Sequence, residues 1–510
     1  MKRIILILIS VFLLSSVPAN AAVKKDKRLW QDESIYSIMV DRFNDGDTSI
    51  NNDVNTKDPN VYNGGDFQGI IDKLDYIHDM GFTAIRLNPI FDNADKGYHG
   101  FWVKDFYKTD EHFGSIKTFQ KLVNEAHKRK MKVLIDFPVN NVAANHMWVT
   151  DPNKQDWFHK KRDIKDWNNA QEVENGWADG LPDLNQDNPE VKNYLIKAAK
   201  WWIQKTDIDG YSLPEVNMVP VSFWHDFSTL VKGVKQNFFL MGIPAVKSLT
   251  NGLEYEKAGI DGLFNGPVSA DLRNAFANTN QSIQPVFSEL ANGKKPFDTS
   301  ANMVNYFDNE YTTRFTQEIV KNRQFPGSRW KTALTYLYTI PGIPVIYYGT
   351  EIALNGGDIP DNRRQMSFRA EKDLIDFITK IGELRNQLPS LTRGNLEVLY
   401  EKNGMVIYKR EYKGETSVIA INNTRKSQSI TLKGKQLQAG KELRGLLNGD
   451  TVKSEGDRYT IILDRDYSEI YVLADKTGMN IPFVSAIMIV IILACLFLFL
   501  VIRRSKRNMN

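Results

Sequence analysis

Cysteine is all but missing from this chain. The single one, Cys495, lies inside an apolar run. Its solitude excludes an intrachain disulfide and a thiolate metal site. A basic surface is missing as well. The formal charge is +4 over 510 residues, but Lys2, Arg3, Arg503, Arg504, Lys506 and Arg507 stand at the two ends. Without these the body holds 59 basic and 61 acidic residues. That near-neutral body argues against nucleic acid as a partner. It is compatible with neutral ligands such as sugars, and with much else. Hydrophobic content of 42% and charged content of 25% are ordinary for a globular protein. The length suggests several domains.

The ends carry targeting patterns. Lys2-Arg3, the apolar stretch Ile4 to Val17 and Ala19-Asn20-Ala21 make a signal peptide over 1–21, cleaved after Ala21. Ile481 to Ile502 contains no charge, and a bilayer span takes about 20 residues. Basic residues follow it directly, and such charge stays cytoplasmic. The expectation is an ectodomain outside the cell membrane, a transmembrane helix over 481–502 and a basic cytoplasmic tail over 503–510. The polar residues 475–480 are the linker.

Between the ends, strand-like segments alternate with amphipathic helical ones. Val191, Leu195, Ala198 and Trp202 fall on one helical face after Asn188-Pro189, a helix start. Strands alternating with helices argue for a parallel sheet. Beyond about residue 390 the pattern changes to short alternating strands with turns such as Asn403-Gly404.

Several segments, in order, resemble the α-amylase family, glycoside hydrolase family 13, in spelling nearest to cyclodextrin glucanotransferases and maltogenic-type amylases. These are Gly97-Tyr98-His99-Gly100-Phe101-Trp102, Asp136-Phe137-Pro138-Val139-Asn140-Asn141, Gly210-Tyr211-Ser212-Leu213-Pro214, Asp308-Asn309-Glu310-Tyr311 and Gly342 to Glu351. The resemblance implies an α/β fold: a (β/α)8 TIM barrel over 22–390, a small B domain inserted after the third strand at about 142–189, and a C-terminal all-β sandwich over 391–474. The B segment holds Trp148, Trp157, Trp167 and Trp177, which suit sugar stacking or the core of a small domain.

The family's reactive groups are not at their positions. Its nucleophile Asp is Pro214, its acid/base Glu is Ile243, and its transition-state Asp is Tyr311. The supporting Arg is Ser212, and the two His positions after the fourth and seventh strands hold Met218 and Glu310. Asp136 is retained, with its family partner gone. A buried unpaired carboxylate is costly, so Asp136 is expected to be neutral, re-paired or solvated. Tyr98, His99, Phe101 and Trp102 match the segment that lines the family's sugar subsite. The blander alternative is that these rings pack at the barrel mouth.

Asn44 to Asp53 is dense in Asp and Asn, which suits a solvated turn or a calcium loop. The resemblance implies Ca²⁺ on Asp45, Asp47, Asn51, Asn52, the Gly64 carbonyl and Asp66. A second site would use Asn140, Asp183 and the Met218 carbonyl. The function implied is a catalytically inactive, membrane-anchored relative of α-glucan enzymes that binds glycan or protein. One alternative is a hydrolase rebuilt on Glu215 and Glu310. Alternation along a strand expects Glu215 to face away from the site if Pro214 faces in. Another alternative is an accessory subunit of a membrane transporter or envelope complex, with a membrane protein as partner.

Overall fold

The computed structural model describes residues 27–245, 252–291, 302–433, 435–476 and 481–507. The predicted signal peptide lies outside them, as do most of the linker and the last residues of the tail. Eight parallel strands close into a barrel: β1 (Ile35–Ile38), β2 (Ala84–Leu87), β3 (Lys132–Asp136), β4 (Gly210–Pro214), β5 (Phe239–Ile243), β6 (Gly262–Phe264), β7 (Met303–Tyr306) and β8 (Ile343–Tyr347). Each pairs with its neighbours in sequence, and β8 returns to β1. All eight are buried along their length except at Lys132, the first residue of β3, as a sheet covered on both faces requires.

The two faces of each strand have different partners. Ile35, Ala84, Leu134, Met241, Val304 and Ile343 pack together inside the barrel. Tyr36, Ile85, Val133, Tyr211 and Leu240 join the larger core beneath the surrounding helices. Gly210 opens β4 because a side-chain carbon there would lie 2.6 Å from the Phe239 carbonyl oxygen.

The helix before β4, Pro189–Thr206, shows how the local signals act. The Asn188 side chain accepts the Glu190 N–H at 2.8 Å, and Pro189 takes the first turn, where no N–H is needed. Asp207, in a left-handed conformation, ends it. Val191, Leu195, Ala198 and Trp202 are buried against the barrel, and each large side chain so placed contributes about 1.5–3 kcal/mol. The Trp202 indole N–H donates to the Phe106 carbonyl at 2.7 Å.

Residues after β3 form the excursion. Trp148 and Trp157 are buried in it, and single bridges tie Asn141 to Asp183 and Phe158 to Leu184. Beyond Arg393 the chain becomes all-β. A six-stranded sheet and a two-stranded sheet enclose Ile407, Val418, Leu443, Tyr459 and Tyr471. This unit is docked on the barrel through Asn423, whose amide donates to the Ala275 carbonyl at 2.7 Å.

Ile481–Arg507 is one helix. Its described side chains run over 488–502 and cover about 22 Å at 1.5 Å per residue. Among the described residues no helix is long and apolar enough to cross a membrane.

Candidate active site at the barrel mouth

Side chains leaving the C-terminal ends of barrel strands meet at one mouth. On one side of it stands Arg86. The strand Ala84-Ile85-Arg86-Leu87 is otherwise apolar, and Arg86 points into the barrel, 1% exposed. Its Nε and Nη2 donate to the two Asp136 oxygens at 2.8 and 2.6 Å. Its Nη1 and Nη2 donate to the two Glu310 oxygens at 3.1 and 2.6 Å. The Ser212 and Ser37 hydroxyls accept further bonds from it at 3.0 and 2.9 Å. Asp136 is therefore re-paired. The guanidinium comes from β2, two strands away from the position where the family resemblance places one, and sequence reasoning missed it. The legible signal was a lone charge in an apolar strand, which has to find a counter-charge once buried.

Two carboxylates share this one cation. Burial raises Asp136 to about 7; Arg86 opposes the rise and the Glu310 charge adds to it. Burial would also raise Glu310, but the Arg86 charge and hydrogen bonds hold it below its ordinary value. The cluster is closed and internally satisfied. Glu310 is 2% exposed with both oxygens engaged, so it offers no free carboxylate to a ligand.

On the other side lies a cavity of about 1210 Å³. Ile243, Phe264, Tyr306 and Tyr311 form its floor and walls, with Trp167 at its edge. Asn274, Asn278, Gln281, Asn309 and Thr312 give it neutral polar groups. Pro214 is buried beneath it and Ile243 is 5% exposed. Neither can transfer a proton or attack an anomeric carbon.

Glu215 overturns the orientation expected from alternation. Pro214 does face inward, but Glu215 follows with φ 57, a left-handed turn that ends the strand and aims the carboxyl into the cavity. Asn141 Nδ2 donates to it at 3.2 Å. Burial first, then the charge of Asp179, raises it to about 7, and a bond from Asn140 works the other way.

The aromatic segment sits apart. Tyr98 is 4% exposed beneath the Arg42 guanidinium, whose centre is 3.9 Å from its ring. His99 is 8% exposed, and burial, then Arg363 and Arg42, lower it to about 3. Trp102 packs edge-on to His99 at 4.6 Å. Phe101 leans on Tyr311, with ring centroids 5.7 Å apart. Among the described residues, none of these four lines the cavity.

The residues named for calcium lie in two places. In the N-terminal loop, Asp45 Oδ2 accepts from Asn51 Nδ2 at 2.7 Å, and a side-chain carbon on Gly64 would touch both residues at 3.2 Å. Asn51 Oδ1 is buried with no hydrogen-bond partner, which fits a cation ligand. Asp66 accepts three backbone N–H groups. It caps the helix Phe67–Asp72 through the Gly69 N–H at 2.6 Å and accepts the Gly46 and Asp47 N–H groups at 3.0 and 2.7 Å. Asp47 accepts the Ser49 N–H at 3.1 Å, and Asn52 donates its own N–H to the Ile50 carbonyl at 2.8 Å. Among the described residues, Asp110, Glu111 and His112 bring one potential ligand atom each within 4.8 Å of one another.

At the second place the convergence is closer. One end of the Asn140 amide lies 3.0 Å from Asp183 Oδ1 and 2.9 Å from the Met218 carbonyl oxygen. As nitrogen that end donates to both; as oxygen it completes a three-oxygen cradle for a hard cation. His159 Nδ1 holds the other Asp183 oxygen at 2.6 Å.

A closed parallel barrel, an excursion after its third strand and a cavity at the strand ends define a barrel of the glycoside-hydrolase kind. The α-amylase catalytic domain model matches residues 37–386, and the α-amylase C-terminal domain model matches 394–471. The chain belongs to the α-amylase family. It is 34% identical over 451 residues to a β/α-amylase of Paenibacillus polymyxa, covering 85% of this chain but only 37% of that protein's length. It is 30% identical over 424 residues to a cyclomaltodextrinase of Thermoanaerobacter pseudethanolicus, covering 79% of this chain and 72% of that one. Among solved structures, an Anoxybacillus α-amylase superposes with a TM-score of 0.87 at 56% identity, covering 89% of this chain and all of that one. The α-amylase of Geobacillus thermoleovorans, complexed with acarbose, gives 0.86 at 51%, covering 88% and 100%.

Proposed function

We propose that this protein binds α-glucans in the cavity at its barrel mouth and does not hydrolyse them. One observation carries the reading. The three strand-end positions where the family resemblance places reactive carboxyls hold Pro214, Ile243 and Tyr311, and the nearby carboxyls of Asp136 and Glu310 are both tied to Arg86. Retaining hydrolysis needs two carboxyl groups about 5 Å apart across the scissile bond. What remains is an aromatic and amide-rich cavity, suited to the apolar faces and hydroxyls of sugar rings. Similarity to amylases and to a cyclomaltodextrinase supports α-glucan as the ligand class.

Calorimetry with a maltooligosaccharide series tests binding, and reducing-sugar release from starch tests silence. We expect heat of binding in the first and no turnover in the second. A second reading is favoured by Glu215, which faces the cavity with a raised carboxyl. It is a hydrolase rebuilt on that residue, and it predicts turnover that Glu215→Gln abolishes. Turnover unaffected by that substitution would point to a contaminating amylase.

Two structural additions belong to the same proposal. Ca²⁺ occupies the Asn140–Asp183–Met218 cradle and the Asp45–Asn51–Gly64 corner, each supported by oxygens otherwise facing one another or unpaired. The helix Ile481–Arg507 anchors the body outside the cell membrane. Met488, Ile492, Phe497, Phe499 and Ile502 are all more than half exposed, and so large an apolar surface is unfavourable in water.

A further inference from the structure

We infer that Tyr311 is an end wall that closes one side of the binding cleft, so that the protein receives the terminus of an α-glucan chain rather than its middle. The inference rests on the glucan-binding reading above and adds which form of glucan fits.

The cavity and the Tyr98–Trp102 segment lie on opposite sides of the Tyr311 ring. Tyr311 lines the cavity, is 40% exposed there, and meets Phe101 on its other side. Behind that contact Phe101 and Trp102 are half-buried. Tyr98 and His99 are buried, and so are Arg86, Asp136, Glu310 and Arg363. A chain lying in the cavity therefore meets the Tyr311 ring, with Phe101 packed against it.

The wall is also rigid. Asn309 Oδ1 accepts the N–H groups of Tyr311 and Thr312, both at 3.0 Å. The Glu310 carbonyl accepts from Arg363 Nε at 3.0 Å and from Asn362 Nδ2 at 3.1 Å. The Glu310 side chain is gripped by Arg86. The backbone of the residue that carries the ring is thus fixed from both sides of the chain. Arg86, Glu310 and Tyr311 act together: the first two hold the place where the third blocks.

Linear and closed glucans separate this idea from its parent. Maltoheptaose and β-cyclodextrin contain the same number of glucose units, but the second has no terminus. By calorimetry the full chain should bind maltoheptaose at least about tenfold more tightly than β-cyclodextrin. Tyr311→Ala should remove most of that ratio by strengthening β-cyclodextrin binding. Tyr311→Phe, which keeps the ring, should leave the ratio as it was. Unfolding curves of the variants check that each is folded, which an exposed side chain at this position favours. Equal binding of the two glucans by the unaltered protein, or an unchanged ratio in Tyr311→Ala, overturns the wall while leaving glucan binding intact. Absence of binding to every linear glucan overturns the parent reading and this inference with it.

Discussion

The two sides of the barrel mouth have the same architecture and opposite character. On the side of β2 and β3, every polar group is engaged by another: Arg86 with Asp136, Glu310, Ser37 and Ser212. On the side of β4 to β7, the cavity keeps amides, hydroxyls and the Glu215 carboxyl turned toward open space. Tyr311 stands at the border. The comparison teaches that ionic groups at a barrel mouth need not all face the cavity. They can be held in a pairing that stabilises the fold. A closed ionic cluster has no room for a substrate, whereas a cavity lined by amides, hydroxyls and charged side chains does.

The most severe way to break the closed side is Arg86→Met. It leaves two buried carboxyls without their cation, and losing one partner of a buried ion cluster costs about 3–5 kcal/mol. Denaturant unfolding at pH 8 should show a loss of that order, smaller at pH 5, where protonation relieves the carboxyls. A variant as stable as the parent at both pH values would mean that Arg86 is not the keystone of that side.

The next effect concerns the cradle on the border of the excursion. A chelator should lower the melting temperature, because a ligand bound only to the folded state stabilises it, by about 2.7 kcal/mol at a hundredfold excess over Kd. Asp183→Asn should reduce the response, and Asp45→Asn should reduce it separately. An unfolding curve indifferent to chelator would assign the Asn140 amide nitrogen, not its oxygen, to the Asp183 side.

A subtler test is the pH dependence of the closed side. The raised Asp136 carboxyl means that between about 4 and 7 the folded state holds more protons there than the unfolded chain. Its contribution is present at low pH and lost as pH rises through that window, with a slope of at most about 1.4 kcal/mol per pH unit. Glu310, lowered, acts in the opposite sense and loses its contribution as pH falls. Asp136→Asn should therefore gain stability relative to the parent as pH rises from 4 to 7. A difference that stays level across that range would sink the assignment.

Much of this was readable beforehand, and the misses have physical causes. Alternating strand and helix patterns pointed to a parallel sheet, and the family resemblance supplied the closed eight-stranded barrel. That Pro214, Ile243 and Tyr311 carry no carboxyl was legible residue by residue. The direction of Glu215 was not, because alternation ends where a strand ends, and one left-handed residue re-aims the side chain. Nor was the separation of Tyr98–Trp102 from the cavity, because it depends on a ring from the loop after β7 meeting a ring from the loop after β2.

By itself, the sequence determined which chemical groups are available: no carboxyl at 214, 243 or 311, and a lone arginine within a strand. Only the tertiary structure decided which of those groups neutralise one another. Charge pairing across a closed barrel joins residues 50 and 224 positions apart in the chain, and no local pattern encodes such a meeting.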